Sequence, residues 1–131
     1  MYIKQLSGLP ESDDPRDCPI RNVLDRIGDQ WSLLVLLTLE RGTLRFTELQ
    51  REIGDVSKRM LADTLRKLER DDFVSRKVYA SVPPKVEYQL CPLGKSLAAQ
   101  LRPLVKWATV NHEKVRTARK IYRAPARVAA L

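Results

Sequence analysis

The stretch SKRMLADTLRKLERDDFVSRKVY, residues 57–79, changes its hydrophobic period halfway along. Ser57 is a good N-cap. Behind it Leu61, Leu65 and Leu68 recur at helical spacing, which predicts a helix over 58–70. At about 100° per residue, Arg59, Asp63, Arg66 and Arg70 point away from that stripe, with Lys58, Ala62 and Lys67 beside them. One face is built for a core and the other is basic and free. After Asp71-Asp72 the pattern alternates, and Phe73 to Tyr79 reads as a strand. Val86, Tyr88 and Leu90 form one face of a second strand, joined to the first through Ala80 to Pro84. A basic helix is therefore followed at once by a basic hairpin.

On the N-terminal side, Phe46, Leu49 and Ile53 mark a short helix stopped by Gly54. Trp31 to Glu40 is an earlier helix, apolar on nearly every side, as befits the middle of a core. Before it, Cys18-Pro19 opens a first helix, because proline suits the first helical position. Ile20, Val23, Leu24 and Ile27 give that helix its stripe, and Gly28 stops it. Residues 1–16 show no period and read as an irregular arm. On the C-terminal side a long helix starts near Pro92. Its stripe is Leu97, Leu101, Leu104, Ala108, Val115, Ala118 and Tyr122, and Pro103 should bend or restart it. The stripe is longer than a small domain needs to cover itself. From about residue 114 the chain becomes a basic tail.

The order is three helices, a basic helix, a hairpin and a long helix. The expected fold is mainly α with a small β-hairpin, a winged helix-turn-helix, with residues 17–131 as one domain. At 131 residues there is little room for a second. B-form DNA's major groove is about 12 Å wide and admits one helix, with its first residues at base edges. The candidate DNA-facing set is Arg45, Thr47, Ser57, Lys58, Arg59, Ala62 and Arg66, with Arg76, Lys77 and Lys85 in the wing. The charge agrees. The chain carries +8; its first 18 residues hold −2, so the rest holds +10, a field that attracts polyanions.

Other chemistries fit poorly. Gly94-Lys95-Ser96 lacks the glycine of a phosphate loop at position 89, which is Gln89, and Pro92 has no N–H to offer. His112 is the only histidine and has no ligand-spaced partner, so neither a metal site nor a catalytic triad can be drawn, and no cofactor or enzymatic activity is expected. No apolar run reaches the roughly 18 residues of a membrane span, and the last helix is too poor in aromatics for a membrane surface. Two cysteines make no disulfide framework, and the N-terminus lacks a signal peptide's apolar core, so a cytoplasmic location is expected. An architectural or RNA-binding protein relying on charge is the alternative class. The RNA reading is weak because Tyr79 is the one aromatic near the wing's tip.

These residues resemble the HxlR-type transcriptional regulators, a branch near the MarR-like winged helices. The resemblance runs from Cys18-Pro19 through Gly28 to Trp31, Arg45-Phe46 with Glu48-Leu49, Ser57 to Leu61, and Leu65-Arg66 with Leu68-Glu69. It continues with Val82-Pro83-Pro84, Val86-Glu87-Tyr88 and Leu93-Gly94, and ends at Trp107. It implies cytoplasmic control of transcription by a homodimer built from the first and last helices. Ile20, Val23, Leu24, Leu97, Leu101, Leu104 and Ala108 are the expected interface. It also makes Cys18 a redox or electrophile-sensor candidate, since some members sense through a cysteine there while others carry it without sensing. At an N-cap its sulfur would face unpaired N–H groups and the positive helix end, a setting in which thiols become reactive. An oxidant or small molecule is the effector class left open. The sequence departs from the family pattern at four places. Gln30 replaces a usual Lys. Asp72 replaces a usual Gly, so the turn into the wing is expected to be made differently. Cys91 replaces a usual Thr, as a weak cap or buried thiol. The basic tail has no counterpart.

Overall fold

A computed structural model describes residues 18–125. The elements are α1 (Pro19–Ile27), α2 (Gln30–Leu39), β1 (Leu44–Arg45), α3 (Phe46–Ile53), α4 (Lys58–Arg70), β2 (Val74–Tyr79), β3 (Lys85–Leu90) and α5 (Pro92–Ile121). This is the winged helix-turn-helix that the periodicities predict. The arm over 1–16 and the last residues of the basic tail lie outside the described residues.

The core is one cluster centred on α2. Val35, Leu36 and Leu39 pack with Leu49 of α3, Leu61, Leu65 and Leu68 of α4, Val74, Tyr88 and Leu90 of the sheet, and Ala98 and Leu101 of α5. The start of α2 falls at Gln30 because Asp29 caps it. The Asp29 carboxylate accepts from the amides of Trp31 and Ser32 at 2.9 and 2.7 Å, and from the buried Ser32 hydroxyl at 2.8 Å. Burial pushes the Asp29 carboxyl up, but these donors, those of Ser32 above all, outweigh it and hold it below its ordinary value.

The sheet has three strands, in the order β1-β3-β2, all antiparallel. β1 is only two residues long, too short to show an alternation, and the sequence reading had only the hairpin.

The turn from α4 into the wing corrects an expectation. Asp72 adopts φ 62°, the left-handed conformation that a glycine would supply. The Phe73 amide reaches back to the Leu68 carbonyl at 3.0 Å, and the Asp72 amide to that of Glu69 at 3.1 Å. The usual left-handed helix end is therefore kept with aspartate, one of the few residues besides glycine that visits this region readily.

Pro103 does not restart the last helix. α5 runs unbroken for 30 residues, and Pro103 costs it one backbone hydrogen bond. Tyr122 caps its end and does not extend the stripe. The glycine of Leu93-Gly94 has a packing reason. Gly94 is buried in the first turn of α5, against the backbone of Phe73, whose carbonyl also accepts from the Cys91 amide at 2.9 Å.

Candidate nucleic-acid interface

Three elements form the candidate surface. α4 buries Leu61, Thr64, Leu65 and Leu68, which turns Lys58, Arg59, Arg66, Lys67 and Arg70 to solvent and leaves Ala62 half-buried. Ser57 starts the helix as predicted, its Oγ accepting from the Met60 amide at 3.1 Å. The outward face is not uniformly basic. Asp63 lies 3.7 Å from Arg66 and 3.3 Å from Lys67, so both are partly neutralised within the helix. Among the described residues Lys58 and Arg59 form no ion pair, and Met60 beside them is exposed, an apolar contact that the charge pattern hid. The turn before α4 is held by the Gln50 side chain, which donates to the Val56 carbonyl at 3.2 Å.

Arg45 ends β1 and precedes α3, with its amide donating to the Glu48 carboxylate at 3.0 Å. Arg45 and Thr47 are both exposed. Register decides which wing cations accompany Arg45. Its partner across the sheet is Glu87, whose partner on the other side is Lys77; Lys85 is paired with Tyr79. Arg45, Lys77 and Lys85 thus share one face. Successive residues of a strand point to opposite faces, so Arg76, paired with Tyr88, lies on the other. Adjacent in sequence, Arg76 and Lys77 cannot act as one patch.

The shared face also holds an acid, Glu87, which the sequence analysis named only within the motif Val86-Glu87-Tyr88. Glu87 accepts from the Lys85 ammonium at 2.9 Å and from the Tyr79 hydroxyl at 3.1 Å. The Lys85 ammonium beside it, then the Tyr79 hydroxyl, hold its carboxyl below the ordinary range. The Lys77 and Lys85 ammoniums lie 4.9 and 5.2 Å from the centre of the Tyr79 ring, within cation–π range.

Behind the interface, Arg26 of α1 grips the Asp71 carboxylate at the end of α4 with both Nε and Nη2. Such a fork fixes geometry as well as charge. Neither residue stood out in sequence, because they are 45 positions apart.

The expected interface residues divide. Leu101 is 6% exposed and Leu97 packs on the same cluster, so both belong to the core of the chain itself, because α5 packs on α2. Val23 is half-buried. Ile20 and Leu24 on α1 and Leu104 and Ala108 on α5 are exposed. To these α5 adds Trp107, 58% exposed, and Val110, which the sequence reading did not name as interface. Large apolar side chains so exposed along one helix mark an interaction surface.

Cys18 is at the N-cap of α1, half-buried, as predicted, though its side chain caps no amide. Cys91 holds the same position on α5, also without a side-chain cap. Burial, then the charge and hydrogen bond of Asp72, push its thiol up, with Ser75 opposing. Among the described residues no group of side chains could hold a metal ion, and no helix is long and apolar enough to cross a membrane.

A family model described as HxlR-like helix-turn-helix matches residues 26–116. YtfH of Escherichia coli, an HTH-type transcriptional regulator whose own role is uncharacterised, is 44% identical over 98 residues, 75% of this chain and 78% of that one. The solved structure of ytfH from Salmonella typhimurium, described as a candidate transcriptional regulator, superposes with a TM-score of 0.73 at 41% identity, covering 80% of this chain and 94% of that one. The redox regulator HypR in its reduced form gives 0.72 at 35% identity, over 76% and 98%. Its oxidised form gives 0.68 at 38% identity, over 72% and 97%.

Proposed function

The chain belongs to the HxlR-like helix-turn-helix family of transcriptional regulators, and from that premise we propose that it binds operator DNA as a cytoplasmic homodimer, by recognition and not catalysis. The observation that carries this is the outward face of α4. Lys58 and Arg59 stand on its exposed first turn, with Arg45, Lys77 and Lys85 on one face of the adjoining sheet. A helix N-terminus reads bases while the flanking cations meet phosphate. Residues 17–131 act as one unit whose α1 and α5 join two subunits through Ile20, Leu24, Leu104 and Trp107. A twofold dimer then reads a near-palindrome with half-sites about 10 bp apart, or a multiple of that.

The test is competition between an operator, recovered from genomic fragments, and scrambled duplex. Arginine pairs bidentately with guanine, so Arg59→Ala should cost about 1–3 kcal/mol on the operator and flatten discrimination. Arg66→Ala should cost less, because Asp63 already holds Arg66. Full discrimination in Arg59→Ala would remove α4 as the reading helix.

An oxidant or electrophile acting on Cys18 is the effector reading. It is favoured by the likeness to a regulator solved in oxidised and reduced forms. The position of Cys18 supports it too. Cys18 stands at the N-cap position of α1, the helix that carries Ile20 and Leu24 outward and Arg26 onto the end of α4. Added bulk there would disturb the dimer contact and the recognition helix together.

A further inference from the structure

Glu87 is the only carboxylate between Phe73 and Leu90, and it sits in the middle strand of the sheet among the cations assigned to DNA. Arg45 on one side and Lys77 on the other are its direct cross-strand partners. Both of its oxygens are engaged, one by the Lys85 ammonium at 2.9 Å and one by the Tyr79 hydroxyl at 3.1 Å. Its side chain is 21% exposed, so this exchange takes place at the surface and within reach of a docked polyanion.

We propose that Glu87 is the wing's internal counter-ion. It holds Lys85 in the free protein, a phosphate must displace it, and it thereby sets the strength and salt dependence of sequence-independent DNA binding. The inference rests on the DNA-binding reading above. A lysine that neutralises a phosphate releases the cation condensed there, and each such contact steepens the fall of log K with log salt by about 0.9 on B-form DNA. Where Glu87 keeps Lys85, that lysine displaces no cation condensed on the DNA. The net release is near zero. With a neutral amide at position 87, Lys85 contributes its full release.

The alternative role is positioning, in which Glu87 and Tyr79 hold Lys77 and Lys85 in a binding-ready arrangement. The Lys85–Glu87 pair is half-buried, with 38% and 21% of the two side chains exposed, so it keeps Lys85 on Glu87 and away from a phosphate, and a negative charge beside a phosphate opposes binding directly. The geometry therefore favours a counter-ion over a scaffold.

The experiment titrates a fluorescent random duplex with the parent, Glu87→Gln, Lys85→Ala and the double variant, at several salt concentrations. A thermal melt of each confirms folding. Glu87→Gln is expected to bind more tightly, with a slope steeper by about 0.9; its gain over the parent should then grow roughly 3.5-fold as salt falls from about 200 to about 50 mM. In the Lys85→Ala background the same substitution should leave the slope unchanged, since no lysine remains to be freed. Weaker binding by folded Glu87→Gln would overturn the proposal in favour of positioning. An equal steepening in both backgrounds would show general repulsion instead of a hold on Lys85, and would overturn it as well. A parent that binds no duplex would sink the DNA-binding reading itself, whereas a parent that binds while Glu87→Gln changes nothing would overturn the counter-ion proposal alone.

Discussion

Replacing Gly94 with alanine tests the seat of α5 on the wing. A Cβ at this position would fall on the carbonyl oxygen of Phe73, and within 2.9 Å of its carbonyl carbon and 3.2 Å of its Cα. Carbon atoms in contact normally sit about 3.5–4.0 Å apart. The obstacle is backbone at the start of β2, so no side chain can swing aside, and α5 must back away by roughly an ångström, in keeping with that spacing. Overpacking of this kind costs about 1–3 kcal/mol. The hydrogen bond from the Cys91 amide to Phe73, now 2.9 Å, stretches with it, a loss of about 0.5–1.5 kcal/mol. Alanine's better helix propensity offsets about 1 kcal/mol. The expected net loss is roughly 1–3 kcal/mol, a large fraction of the 5–15 kcal/mol typical of a domain. Urea denaturation would show it as a lower midpoint at unchanged m-value. Lys95→Ala, at the exposed neighbouring position, is the control and should stay within about 0.5 kcal/mol of the parent. If Gly94→Ala were as stable as the parent, or more stable as propensity alone dictates, the close approach of α5 to Phe73 would be wrong. The shift should also show in function, because α5 links the wing to the proposed partner subunit.

Association and core packing should separate along α5. Leu101→Ala is expected to lose about 2–5 kcal/mol of stability, as for a buried leucine, whereas Leu104→Glu, on a side chain 54% exposed in one chain, should fold and yield monomers by light scattering. A dimer that survives Leu104→Glu would place the interface elsewhere. The two thiols should also differ. Mild peroxide should lower operator affinity in the parent but not in Cys18→Ser, and an equal response in both would leave Cys18 structural. Cys91 should alkylate slowly near neutral pH, because burial and then Asp72 keep its thiol protonated. Asp72→Asn should move the rise in its alkylation rate to lower pH, as followed by mass spectrometry; an unchanged profile would break the link between the two residues.

Most of the architecture is carried by local pattern. The leucine stripe of residues 58–70, the switch to alternation after Asp72 and the N-cap at Ser57 place α4 and the wing in the right order. Each depends on the period of its own segment and on a cap within a few residues. The choice of Lys58, Arg59 and Arg66 as outward residues follows from the same stripe, because burying Leu61, Leu65 and Leu68 leaves them nowhere else to go. What the sequence could not decide was set by residues far apart in the chain. Pairing through β3 put Arg45 and Lys77 on either side of Glu87 and sent Arg76 to the opposite face; a strand's alternation says that neighbours part, but not which one faces which partner. The packing of α5 on α2 drew Leu101 into the core and left Leu104 and Trp107 outside, a division that one continuous helical stripe does not mark. The Arg26–Asp71 fork and the contact of Gly94 with Phe73 span 45 and 21 positions. Both depend on where packed elements meet, and a sequence read one segment at a time carries no signal for that.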